Sequence, residues 1–202
     1  MPDRQLELLR SELARRPGTR AVVAASVRRA AVALLLRPAA GELELLLIKR
    51  AERRGDPWSG HMALPGGRRD PEDADDAATA LRETREEVGI DLATVGRPLG
   101  SLDDVAPRSG APQIVVSPFV FAVPPATHAT PNAEVEAAVW IPLREIAHPD
   151  AATEHLLETV TGDPRRFPAI GTRGYVIWGL THRILSNFIE VASPLLGPEH
   201  VP

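Results

Sequence analysis

Leucines 6, 9 and 13 recur at three- and four-residue spacing in a segment otherwise rich in charge, which predicts a short amphipathic helix over residues 3 to 16, stopped by Pro17-Gly18. Two aliphatic runs follow, "RRAAVALLLRP" and "LELLLIKRA", separated by "PAAGE", and read as buried strands joined by a turn. The Gly- and Pro-rich loop "ERRGDPWSGHMALPGG" ends in a short strand. Residues 75 to 88 return to helical spacing, with Ala77, Ala80, Leu81, Thr84 and Val88 on one face and Gly89 placed to terminate the helix. Beyond it "SLDDV", "IVVSPFVFAV" and "VEAAVWIPL" read as strands, with a loop from Pro124 to Ala133. A last helix at about 175 to 190 carries Tyr175, Trp178, Leu180, Ile184, Leu185 and Phe188. These elements predict an α/β fold, a sheet with helices on both sides. The expected organisation is an N-terminal helical extension over 1–20, one domain over 21–192 and a frayed tail over 193–202.

Composition narrows the function. A net charge of −4 and a pI near 5.9 supply no global basic field, so a nucleic acid polymer is not the expected partner. The chain has no cysteine, which removes disulfides, thiolate nucleophiles and zinc–thiolate sites, so any metal must be held by oxygen or imidazole. No apolar run approaches the roughly 20 residues of a membrane span, and the charged start does not read as a signal peptide; a cytoplasmic protein is the expectation.

One stretch is unusual. From Glu72 to Asp91 stand eight carboxylates against two cations, Arg82 and Arg85. On a helix, Glu83, Glu86 and Glu87 share one side, predicted here to lie opposite the Ala/Leu/Val face. Like charges at this spacing repel by a few tenths of a kcal/mol per pair, and glutamates in a last turn also oppose the helix dipole. An acidic helix alone is a solvated face, but a hard divalent cation such as Mg²⁺ or Ca²⁺ reverses the penalty. Arg82 reaches Glu86 across one turn and orients it, and the Pro65-Gly66-Gly67 turn can bring a backbone carbonyl to the same ion.

Together, "PGG" and "RETREEVGI" at 82–90 resemble the Nudix box. The match is close in its second half, with Thr84 in an aliphatic position. In the first half Gly67 to Arg82 is one residue longer than the pattern, and Asp73 or Glu72 stands at the first glutamate. "EVEAAVWIPLREI" at 134–146 resembles the strand and turn that commonly close such a domain. The resemblance implies an α/β/α sandwich with a mixed sheet and hydrolysis of a nucleoside diphosphate derivative. It also implies Mg²⁺ or Mn²⁺ held by Glu83, Glu86, Glu87 and the Gly67 carbonyl. Glu83, Glu134 and Glu136 are the candidate bases.

Three further stretches resemble the coenzyme A pyrophosphatase branch: "LLLIKRAERRGDPWSGHMALPGG", "LDDVAPRSGAPQIVVSPFVF" and "YVIWGLTHRIL". Arg50-Ala51 fits that branch, while His61 and Leu64 replace its Gln and Phe. The implied substrate is coenzyme A or an acyl-CoA, with ADP-ribose, dinucleotides or nucleoside triphosphates as the alternative and a non-catalytic nucleotide sensor as a reading of another class. Arg50, Arg53, Arg54 and Arg68 suit phosphate, and Trp58 is placed to stack on a base. The first and last helices offer apolar faces either to the domain or to a second copy in a homodimer.

Overall fold

The computed structural model describes residues 2–55, 58–107, 113–158 and 164–197. The parts of the quoted stretches at 56–57 and 108–112, and the tail from 198, lie outside these residues.

The element order is α1 (Pro2–Arg15), β1 (Arg28–Ala39), β2 (Glu42–Arg50), β3 (Met62–Ala63), β4 (Gly66–Arg68), α2 (Asp76–Val88), α3 (Leu92–Val95) and β5 (Arg97–Ser101). It continues with β6 (Ile114–Ala122), β7 (Val135–Pro142), α4 (Leu143–Ala147), β8 (Ala152–Glu158), β9 (Pro164–Thr172), β10 (Tyr175–Trp178) and α5 (Gly179–Leu196). The turn between β1 and β2 is Ala40-Gly41, both at positive φ (47° and 89°), the backbone that two-residue hairpins favour.

A seven-stranded mixed sheet runs β3-β2-β1-β6-β5, with β1 and β6 parallel, β7 on β2, and β4 on β1. Strand β1 is shared along one edge: residues 36–39 pair with β2, whereas Ala30, Ala31 and Val32 pair with Arg68, Gly67 and Gly66 of β4. That divergence opens room for the Gly-rich turn inside the sheet. Side chains alternate across β1: Ala30, Leu34 and Leu36 pack with α1 and α5, whereas Ala31, Ala33 and Leu35 pack with α2. Helices therefore cover both faces, as the periodicity predicts. Each fully buried leucine contributes roughly 1.5–3 kcal/mol relative to exposure.

Several boundaries differ from the sequence reading. Leu6, Leu9 and Leu13 of α1 are buried in the cluster shared with α5. Strand β5 ends at Ser101, so "SLDDV" contributes one residue to it, and Val105 makes an isolated bridge to Val116. Tyr175 and Trp178 belong to β10, and α5 continues through Pro194 to a buried Leu196. The sequence pattern also missed a second sheet, β10-β9-β8, whose strands mix charged, aromatic and aliphatic residues without a clean alternation.

Candidate active site

The helix that carries the glutamates is held at both ends. The Asp75 side chain caps α2 by accepting the Ala78 N–H at 2.7 Å, and Gly89 stops it in the left-handed region at φ 69°. Thr130 and Asn132 donate backbone N–H groups to the carbonyls of Val88 (2.7 Å) and Glu87 (2.9 Å), so the 124–133 loop satisfies the last turn. Beneath the helix, Gly66 sits at φ 151°, and a Cβ there would fall 2.2 Å from the Ala31 carbonyl oxygen. A Cβ on Gly67 would fall 2.4 Å from the Glu83 carboxylate.

Glu83 and Glu87 face this turn. Glu87 is only 3% exposed; its Oε2 accepts the Gly66 N–H at 2.9 Å and its Oε1 lies 3.9 Å from an Arg50 nitrogen. Burial pushes the Glu87 carboxyl up to about 7, with Glu83 and Glu134 adding to the rise and the Gly66 N–H and Arg50 opposing it. Burial also raises Glu83, against the pull of Arg82. Glu86 stands apart, its side chain 55% exposed. The expected arrangement, three glutamates opposite the apolar face, is therefore corrected: Glu87 lies with Thr79, Ala80, Thr84 and Val88 on the buried face. Spacing held the signal, because Ala80, Thr84 and Glu87 follow the four-then-three step of a buried stripe.

Arg82 organises the acidic cluster. Its guanidinium donates to both carboxylate oxygens of Asp73 (3.0 and 2.9 Å), to Glu83 (2.9 Å), to Glu86 (3.3 Å) and to the Arg68 carbonyl (3.0 Å). The Arg82 guanidinium holds the Asp73 carboxyl well below the usual carboxylate range, and Asp73 also accepts from Thr79 Oγ1 and the Asp70 N–H.

A cleft of about 940 Å³ opens over these groups, lined on one side by Gly66, Gly67, Arg68, Glu83, Glu87, Arg50 and Glu134. Trp58, His61, Met62 and Leu64 line it further, and β9, β10 and the first turn of α5 complete the wall. There Trp178 stacks on His155 with centroids 4.1 Å apart and meets the edge of His61 at 4.8 Å. His182 also lines the cleft, and burial lowers its pKa. Glu134 bonds Arg53 at 2.9 Å, whereas Glu136 bonds Lys49 at 2.7 Å and does not line the cleft. Arg53 and Arg54 also lie outside the lining, and Arg69 is engaged with Asp76 and the carbonyls of Asp73 and Ala74. The sequence reading missed Arg165 and Phe167, because it assigned no structure to their segment.

A NUDIX domain profile matches residues 27–160. The chain belongs to the Nudix hydrolase family. This Nudix chain is 39% identical over 130 residues to a Schizosaccharomyces pombe protein, covering 61% of the chain and 39% of that protein. It is 32% identical over 155 residues to the peroxisomal coenzyme A diphosphatase of Mus musculus, covering 71% of the chain and 61% of the mouse protein. The chain thus spans less than two thirds of either relative. In fold it is similar to a MutT/nudix family protein of Enterococcus faecalis, with a TM-score of 0.55 at 18% identity over 86% of this chain and 65% of that one.

The residues present fit a divalent cation. The buried Glu87 and half-buried Glu83 carboxylates face the Gly66-Gly67 turn, where the missing Cβ of Gly67 leaves space beside Glu83, and the donor set is all oxygen, the preference of Mg²⁺ and Mn²⁺. Among the described residues no three acidic or imidazole groups form a ready-made cage, in keeping with the exposed position of Glu86.

Proposed function

We propose that this Nudix domain hydrolyses the diphosphate of coenzyme A or an acyl-CoA, releasing 4′-phosphopantetheine or its acyl form and adenosine 3′,5′-bisphosphate. The observation that carries the reading is the double character of one cleft: Glu83, Glu87 and Arg68 share it with Met62, Leu64, Phe167 and Trp178. A diphosphate flanked by a nucleoside on one side and a weakly polar arm on the other needs that same mixture, with the Phe167 and Trp178 rings on the nucleoside side. At about 940 Å³ the cleft falls in the size class of small-molecule sites. The mouse relative, a coenzyme A diphosphatase by name, and the Arg50-Ala51 stretch support the same substrate.

Glu83, Glu87 and the Gly67 carbonyl would hold Mg²⁺ or Mn²⁺, with Glu86 at the rim. When bound, the ion supplies positive charge to the phosphoryl oxygens and acidifies an attacking water. Arg82 fixes the Glu83 carboxylate through its own anchor on Asp73. Arg50 and Arg68 meet the phosphate oxygens. Glu134, released from Arg53, accepts a proton from the water as its oxygen bonds to one phosphorus of the diphosphate, the bridging P–O bond breaks and the other half leaves as a phosphate monoester. Glu136, paired with Lys49 outside the cleft, takes no part.

The test is turnover, with product masses, of coenzyme A, acyl-CoAs, ADP-ribose, dinucleotides and nucleoside triphosphates in Mg²⁺ and Mn²⁺. Highest kcat/KM on coenzyme A or an acyl-CoA is expected. Preference for any other member contradicts the substrate.

A further inference from the structure

The matched NUDIX region ends at residue 160, but the cleft does not. Arg165, Phe167, Trp178 and His182 all line it, and all come from β9, β10 and α5 beyond that boundary. The segment that builds this wall is therefore separate from the one that carries the diphosphate chemistry.

Within the wall the two neighbouring arginines of β9 have opposite circumstances. On a strand, residues two apart share a face, so Arg165 points with Phe167 toward the cleft and Arg166 points away. Phe167 pairs across the ladder with His155, which stacks on Trp178, so Arg165 stands at the margin of an aromatic cluster. Arg166 is neutralised by Glu154 at 2.7 Å. The Arg165 guanidinium has no hydrogen bond or ion pair with another described residue. At the diphosphate side the Arg68 guanidinium is in the same condition, since Arg82 donates to the Arg68 backbone carbonyl and not to its side chain. Among the described residues the cleft thus presents two uncommitted forks, one on β4 beside the carboxylates and one on β9 beside the rings. A substrate with a single anionic centre uses one of them.

We infer that Arg165 is a specificity-determining residue that binds a second phosphate group of the substrate, a monoester on the nucleoside ribose, separate from the scissile diphosphate. The inference rests on the coenzyme A reading above and sharpens it: the 3′-phosphate of coenzyme A is such a monoester. Guanidinium forks suit phosphate monoesters because two N–H groups meet two oxygens at once. The neighbouring rings of Phe167 and Trp178 supply a surface for the base or sugar on the same side.

The experiment compares coenzyme A with 3′-dephospho-coenzyme A on the full chain in Mg²⁺, using wild type, Arg165→Ala, Arg165→Lys and Arg166→Ala. Wild type is expected to favour coenzyme A. Arg165→Ala should lower kcat/KM for coenzyme A roughly 10- to 100-fold, mostly through KM, and leave the dephospho compound unchanged. Arg165→Lys should restore part of the loss, and Arg166→Ala should match wild type. Equal losses on both compounds, or none, overturn the inference. Dissociation constants for adenosine 3′,5′-bisphosphate and AMP give a second readout. If neither coenzyme is hydrolysed, the substrate reading fails, and Arg165 is judged on this pair alone. Weakening of the bisphosphate but not of AMP by Arg165→Ala supports its role, and equal behaviour overturns it.

Discussion

A methyl group placed on Gly67 would lie 2.4 Å from the carboxylate carbon of Glu83, so the absence of a side chain in β4 is what lets the α2 glutamate stand where it does. Gly67→Ala should therefore displace Glu83 and lower kcat by about 100-fold or more, while thermal unfolding changes little, since the obstruction is a side-chain end. Gly66→Ala is the contrasting variant: its Cβ meets the Ala31 backbone at 2.2 Å and its φ of 151° is costly for any L side chain, so that variant should lose stability first. Thermal unfolding beside steady-state kinetics checks both.

Glu87 gives a pH dependence of defined sign. Its carboxyl titrates near 7 in the folded chain because it is buried, against 4.5 as its ordinary value. Below about 4.5 both folded and unfolded chains hold this proton and the burial of Glu87 costs no stability. As pH rises toward 7 the unfolded chain releases the proton more readily, and stability falls by up to about 3 kcal/mol before levelling. In metal-free buffer Glu87→Gln should remove this slope and be the more stable protein at pH 8, while losing Mg²⁺-dependent turnover. Chemical denaturation in chelator at pH 5 and pH 8 reads the difference.

Arg82 connects Asp73, Glu83, Glu86 and the Arg68 carbonyl. A lysine cannot reproduce the two-point contact with Asp73, so Arg82→Lys should cost roughly 1.5–3 kcal/mol of stability and reduce kcat together with it. Asp73→Asn should give the same stability loss with a smaller effect on kcat, because Asp73 reaches Glu83 through Arg82. Unfolding free energies and kcat of the two variants check this.

The two glutamates around β7 should separate cleanly. Glu134→Gln removes the carboxylate that lines the cleft and should lower kcat by about 10²- to 10⁴-fold. Glu136→Gln breaks an exposed pair with Lys49 and should leave kcat within a factor of two of wild type. Similar losses in both variants contradict the assignment of the base.

How much of this was legible in the chain differs by element. The C-terminal stop of α2 was, because Gly89 is the residue type that its left-handed backbone position favours, whereas Asp75, read as helical, proves to be the N-cap. The aliphatic runs of β1 and β2 were, because both faces are buried and the runs are nearly continuous. The burial of Glu87 was not, since a charged residue reads as exposed unless its spacing is followed against Ala80 and Thr84. Nor was the aromatic wall: Trp178 sits where a strand passes directly into a helix, so its neighbours suggested one longer helix, and His155 meets it from a strand 23 positions earlier. Contacts of that kind follow from sheet topology, which local spacing does not encode.

Glu83 and Glu87, against the Gly66-Gly67 turn, are proposed to grip a divalent ion. Anomalous scattering from a crystal soaked with Mn²⁺ and a non-hydrolysable substrate analogue tests it most directly. A manganese peak is expected within about 2.5 Å of carboxylate oxygens from both residues, with the analogue's diphosphate on its far side. Manganese bound elsewhere, touching neither carboxylate, would contradict it.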